Sequence, residues 1–153
     1  MGDEQRNKDI VRKVETAWVE GKLDQLDQYF APGDHSHDRP PGVPQGLAGA
    51  KLMHQNLMMK TFQGRKLEQK DLFAEGDKVF VRNVISATYM GGLPGIPAPA
   101  GGRPIQGIET WSVYRLKDGK IVEHWGMNDA YSIAMQVGAL KMPEMAGAPG
   151  GRS

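Results

Sequence analysis

The sequence of 153 residues contains no cysteine. Disulfides, thiolate metal sites and a cysteine nucleophile are excluded together, and the composition suits a reducing compartment. Long apolar runs are also missing. No stretch approaches the roughly 20 residues that cross a bilayer, and residues 1–10 are polar and charged, unlike a signal peptide. The chain reads as a cytoplasmic protein with no membrane partner. Charge of one sign is lacking too. The 19 Lys+Arg against 18 Asp+Glu leave a net +1, which gives no electrostatic footprint for nucleic acid. What is present, 39% hydrophobic and 24% charged residues, is ordinary for one globular domain with a single core.

The apolar periodicity begins helical. Ile10, Val11, Val14, Ala17 and Trp18 form one face of a helix over 7–20 that Gly21 stops. The spacing predicts a second short helix over 23–30, a short strand over 35–38 and a third helix over 46–62. The period then becomes that of strands, over 67–74, 78–90, 104–117 and 120–128. Glu75-Gly76-Asp77 and Lys117-Asp118-Gly119 are tight turns that make hairpins of the first pair and the last pair. The Gly- and Pro-rich segment 91–102 is a loop. A last helix spans 129–137, closed by Gly138. Helices segregated from an antiparallel sheet define an α+β fold. A strongly curved sheet wrapped around helices gives a cone-shaped α+β barrel with one deep apolar pocket, the default ligand site. Residues 1–142 form this domain. Residues 143–153 have little to bury and read as a flexible tail.

The most informative stretch runs from Asp118 to Asp129. It is a turn, then a strand carrying His124 beside Trp125, then a carboxylate where a helix should begin. Asp129 has two readings. Desolvation by Trp125, Met127, Ala130 and Tyr131 would raise its pKa and make it a general base. As a helix N-cap it would stabilise by about 1 kcal/mol and stay a weak base. Strand parity puts His124 with Asn128 on one face and Trp125 with Asp129 on the other, so a bulge near Gly126 is needed to bring all into one pocket. His35 and His37 share a face, but no third ligand follows in a zinc-like spacing, so no metal is expected. Trp18 and Met58 lie on apolar helical faces that would wall a cavity, and His54 lies on the same helix as Met58. Tyr89 and Tyr114 are strand tyrosines able to place a hydroxyl inside. Apolar residues occur on both parities of strand 104–117, Ile105, Trp111 and Val113 against Ile108, Tyr114 and Leu116. One helix layer cannot cover both faces, which predicts a homodimer or homotetramer through the sheet.

Several short pieces, taken in order, carry a family likeness. They are Gly21-Lys22-Leu23-Asp24-Gln25-Leu26, His37-Asp38, Glu75-Gly76-Asp77-Lys78-Val79, Leu93-Pro94-Gly95-Ile96-Pro97 with Gly102-Arg103-Pro104, and Asp118 through Trp125 leading to Asp129. From about Ile10 to Leu140 the chain resembles the SnoaL-like polyketide cyclases of the nuclear transport factor 2-like, or cystatin-like, superfamily. The resemblance implies cofactor-free acid/base chemistry: an intramolecular aldol-type ring closure, as in ester cyclases, on a small, apolar, oxygenated, polyketide-like molecule. It places the acid/base carboxylate at Asp129 and the pocket histidines at His124 and His37. Trp18, His54, Met58, Tyr114, Trp125 and Asn128 would contact the substrate. The loop here is longer than the family's short form. The rival readings are a non-enzymatic small-molecule binding domain and a related hydrolase or isomerase; for an epoxide hydrolase an Asp–Arg–Asp constellation would be required, and Glu109 and Arg115 do not supply it.

Overall fold

The structure, a computed structural model, describes residues 2–147. Met1 and residues 148–153, most of the expected tail, lie outside them. Helix α1 (Gly2–Glu20) begins earlier than its apolar stripe, because residues 2–6 add a polar turn that needs no core. Val11, Val14 and Ala17 are buried along that stripe. The expected second helix shrinks to a 3-10 turn, Leu23–Leu26, and Phe30 instead opens β1 (Phe30–Ser36). Leu23 and Leu26 bury with one turn alone, so nothing is gained by extending it.

The third helix is continuous but uneven. Helix α2 (Gly46–Met53) passes through a π-turn at His54–Met58 into α3 (Met59–Thr61). Then follow β2 (Phe62–Glu75), β3 (Lys78–Tyr89), β4 (Arg103–Lys117), β5 (Lys120–Asn128) and α4 (Ala130–Gln136). The sheet order is β1-β5-β4-β3-β2, with β1 parallel to β5 and the other pairs antiparallel. The sheet is curved but does not close; β1 and β2 remain its edges.

Bulges curve it, and glycines mark two of them. Gln63 pairs with Thr88 and Lys66 with Ser86, so β2 carries one extra residue around Gly64, whose φ is +63°. On β4 the extra residue falls between Ile105 and Ile108, where Gly107 has φ +67°. Only glycine takes this left-handed geometry without strain. The Gly107 bulge also turns Ile105 inward. Ile105 is 2% exposed and Trp111 50% exposed, so Ile105 belongs to the inner face, unlike the simple parity expectation that grouped the two. Two apolar clusters fill the concave side. Val11, Val14, Leu26, Val79, Val81 and Ile121 pack under α1. Ala87, Tyr89, Ile105, Ile108 and Ile133 pack at the other end. Loop 91–102 is not loose. Leu93 and Ile96 pack on the second cluster, and the buried Tyr89 hydroxyl donates to the Ile96 carbonyl at 2.5 Å while the Leu93 amide donates to it at 3.2 Å. Among the described residues no helix is long and apolar enough to cross a membrane.

Candidate functional site

Strand parity builds the site. On β5 the register runs Tyr114–His124, Val113–Trp125, Ser112–Gly126, Trp111–Met127 and Thr110–Asn128 without interruption. The irregularity on β5 lies upstream, between Ile121 and Glu123, and none falls at Gly126. His124, Gly126 and Asn128 therefore face the concave side together. On β4 their partners Tyr114, Ser112 and Thr110 face the same way, and β1 brings Ser36 beside His124. Helix α1 contributes Glu15 and Trp18, and the α2 rod contributes Met53, His54 and Met58. These residues enclose a cavity of about 200 Å³. The π-turn matters here, since such turns re-aim side chains that an α-helix would point away.

Trp18, His54, Met58, Tyr114, His124 and Asn128 thus line one cavity. Three other expected site residues do not. Asp129 caps α4: its Oδ1 accepts the Ser132 amide at 3.0 Å and its Oδ2 the Ser132 hydroxyl at 2.5 Å. Those two hydrogen bonds hold its pKa below the ordinary carboxylate value. The cap geometry wins because the uninterrupted β5 register leaves Asp129 at the helix start. His37 and Trp125 lie on the convex face, stacked with ring centroids 4.6 Å apart and 3° between planes. His37 Nε2 bonds Glu123 Oε1 at 2.7 Å. The reason is again parity: Ser36 points in, so His37 points out.

Of the expected catalytic residues only His124 faces the cavity, and its partners there, Asp38 and Ser36, were not expected in the site. His124 Nδ1 lies 3.3 Å from Asp38 Oδ1 and 3.2 Å from Ser36 Oγ. The Ser36 hydroxyl also donates to Asp38, and His124 Nε2 lies 3.2 Å from Ser112 Oγ. Burial alone would raise the Asp38 pKa; the His124 hydrogen bond and charge and the Ser36 hydroxyl outweigh it and hold Asp38 low. An ionised Asp38 at Nδ1 selects the tautomer that leaves Nε2 as the acceptor. Gln45 fixes this edge by bonding both the Ser36 amide, at 2.9 Å, and the Ser36 carbonyl, at 3.0 Å.

Deeper in, Glu15 is fully enclosed. It accepts the Tyr114 hydroxyl and, at 2.7 Å, the Asn83 amide. Burial pushes its pKa up despite these donors, and burial next to Glu15 pushes Tyr114 well above its ordinary value. A sequence signal for Glu15 existed: it is a charge inside the stripe of Val11, Val14 and Trp18. Asp38 had only its place beside His37. Across the cavity, Arg65 reaches in from the β2 bulge and donates to His54 Nε2 at 2.9 Å and to the Trp18 carbonyl at 3.1 Å. Among the described residues no three His, Asp or Glu side chains are grouped to hold a metal ion.

Burial and then the Arg65 charge lower the His54 pKa from 6.5 to about 4. Between those values the unfolded chain binds a proton that the folded chain refuses. The contribution to stability is therefore full above pH 6.5 and is lost as pH falls toward 4. His54→Gln removes this titration, so its melting temperature should fall less than that of the wild type between pH 6.5 and 4.5. Comparing the two proteins cancels the opposite contributions of Glu15 and Asp34, whose pKa values burial raises. Parallel melting curves for the two proteins would contradict the assignment.

Comparison with known proteins agrees with this architecture. No functionally curated protein matches the chain. Among solved structures, TsrD from Streptomyces laurentii is 27% identical, with a TM-score of 0.76 over 90% of this chain and 98% of its own. IdmH from Streptomyces antibioticus, a candidate polyketide cyclase, is 27% identical, with a TM-score of 0.71 over 86% of this chain and 98% of its own. A candidate polyketide cyclase from Bacillus cereus ATCC 10987 is 26% identical, with a TM-score of 0.70 over 86% of this chain and 80% of its own. The sequence profile of the SnoaL-like polyketide cyclases matches residues 8–137, which takes in most of α1, all five strands and α4, and the chain belongs to that family.

Proposed function

We propose that this protein closes a ring in a polyketide-like molecule by a cofactor-free, intramolecular aldol-type reaction, with His124 as the acid/base and Asp38 as its orienting partner. The observation that carries the reading is the His124 side chain itself: it borders a mostly apolar cavity, with a carboxylate at Nδ1 and only a hydroxyl at Nε2. In the reaction, Nε2 removes a proton from a carbon activated by a neighbouring carbonyl. The resulting carbanion attacks a second carbonyl carbon of the same molecule. The new alkoxide then takes the proton back from the imidazolium, so no proton is lost to solvent. Asn128 and Ser112 supply neutral donors where enolate charge develops. The apolar walls, Trp18 and Met58 among them, keep water from quenching the carbanion.

The test is a cyclisation assay on an aromatic polyketide precursor with an activated methylene and an internal carbonyl. Ring closure well above the uncatalysed rate supports the reading. Tight binding without acceleration would leave a non-enzymatic binding domain as the better account.

Assembly through the convex face belongs to the same proposal. Register aligns Phe73, Phe80, Val113 and Trp125 in one row across the sheet, and His37 stacks at its end. Phe73 is 59% and Trp111 50% exposed. The row is flanked by the ion pairs of Arg82 with Asp71 and Glu109 and of Arg115 with Glu123. An apolar stripe with a polar rim suits a second copy of the chain on a two-fold axis. Light scattering should read a dimer at micromolar concentration, and Trp111→Arg should shift it to a monomer. A wild-type monomer would contradict the assignment.

A further inference from the structure

Two cavities meet at Arg65. Beside the first lies a second of about 290 Å³, roofed by Leu93 and walled by Phe62, Ile105, Ile108 and Ile133. Met58, Arg65, Ile85, Thr110 and Asn128 line both. Among the described residues Arg65 is the one charged side chain on the wall of the second.

Of the other charged groups on the first cavity, Arg39 also forms no ion pair among the described residues, but it lines only that cavity and its Nη2 reaches the Gly46 carbonyl at 3.5 Å. Asp38 is matched by His124. Asp34 accepts the Leu47 amide at 3.0 Å and feels the Arg39 charge. Glu15 is pushed toward its neutral form. Arg65 has no carboxylate within ion-pair distance among the described residues. Its two hydrogen bonds both leave from Nη2 and end on uncharged acceptors, the Trp18 carbonyl and the His54 ring. Nε and Nη1 keep three N–H donors with no protein partner among the described residues. A half-buried guanidinium without a counterion is unfavourable, and its planar fork fits a carboxylate. The Gly64 bulge that helps curve the sheet also precedes Arg65, whose guanidinium reaches the Trp18 carbonyl and His54 across the cavity.

We infer that Arg65 is the recognition site for a carboxylate on an otherwise apolar ring system, whose body fills the second cavity while its reacting carbons reach His124 in the first. His54 is the positioning residue, holding the guanidinium through Nη2 and leaving the other edge free. The identification of this ligand with the substrate rests on the proposed function; the carboxylate preference does not.

The experiment therefore measures binding, without turnover. Isothermal titration at pH 7.5 compares 2-naphthoate with its neutral isostere 2-naphthamide. The wild type should bind naphthoate roughly tenfold more tightly or better, the scale of a charge-assisted hydrogen-bond pair. Arg65→Met should abolish the preference. Arg65→Gln, which keeps a donor for His54 and Trp18, should do the same and serves if the Met variant does not fold. Arg39→Met should keep the preference, and Ile108→Trp should weaken both probes alike. Equal wild-type affinities, failure to bind either probe at millimolar concentration, or a preference that survives loss of Arg65 would each overturn the inference. A preference confirmed here alongside a protein inactive in cyclisation would refute the proposed reaction and leave the carboxylate site standing.

Discussion

His124→Gln should lower the rate of ring closure on the order of a hundredfold to ten-thousandfold, the usual cost of losing a general acid/base. Gln keeps a hydrogen-bonding group near Ser112 but cannot carry the proton from carbon to alkoxide. The fold should persist, because His124 sits at a cavity wall and is not a member of either apolar cluster. Asp38→Asn should cost less in rate, since it removes orientation and charge but leaves the imidazole in place. Asp129→Asn should leave the rate near that of the wild type, because asparagine caps a helix about as well as aspartate and Asp129 is not among the residues lining the cavity. The separation between the His124 and Asp129 variants is the useful quantity: one shared assay decides which carboxylate-and-histidine set performs the chemistry. An Asp129→Asn variant as impaired as His124→Gln would move the reaction back to the end of β5.

Gly126→Ala should strike the Asp38–His124 pair directly. Gly126 lies on β5 between the cavity-facing His124 and Asn128, and its backbone needs no left-handed geometry. A Cβ there would come within 2.5 Å of Asp38 Oδ2 and 2.9 Å of His124 Cε1. Real contacts do not get so short, so Asp38 and His124 must separate. A misplacement of about 1 Å at a reacting group costs on the order of a hundredfold, and overpacking adds about 1–3 kcal/mol of destabilisation. The loss should be non-additive. In an Asp38→Ala background the space opens, and the added methyl should cost little more. Independent, additive losses in the two variants would show that Gly126 acts elsewhere than through this pair.

The extent to which the site was legible in the sequence follows from which signals are local. The strand over 120–128 was readable because its alternation and its Asp118-Gly119 turn lie within a dozen residues, and the same alternation placed His124 with Asn128 and opposite Trp125. Treating Trp125, Asp129 and His124 as one site required a bulge at Gly126 that the ladder does not contain. Asp129 carried two physical readings, and the cap prevailed because Ser132, three residues on, offers both an amide and a hydroxyl. His37 and Asp38 were adjacent in sequence, yet only parallel pairing of β1 with β5 decides which one meets His124. Such pairing joins residues almost ninety positions apart, which no window of periodicity reports. Glu15 and Gly64 did leave traces, a charge in an apolar stripe and a glycine at a strand edge, which point to a buried polar site and a bulge. What Gly64 aims, the Arg65 guanidinium, becomes visible only once α1 and the π-turn stand across from it.

Proton transfer at carbon by His124 can be isolated in a half-reaction. A polyketide-like β-keto ester lacking the acceptor carbonyl is incubated in deuterium oxide, and deuterium entering its activated methylene is followed by NMR. Wild-type protein and Asp129→Asn should speed the exchange to similar degrees, while His124→Gln should fall at least a hundredfold toward the buffer rate. Exchange by His124→Gln at the wild-type rate, or its loss in Asp129→Asn alone, would contradict the account.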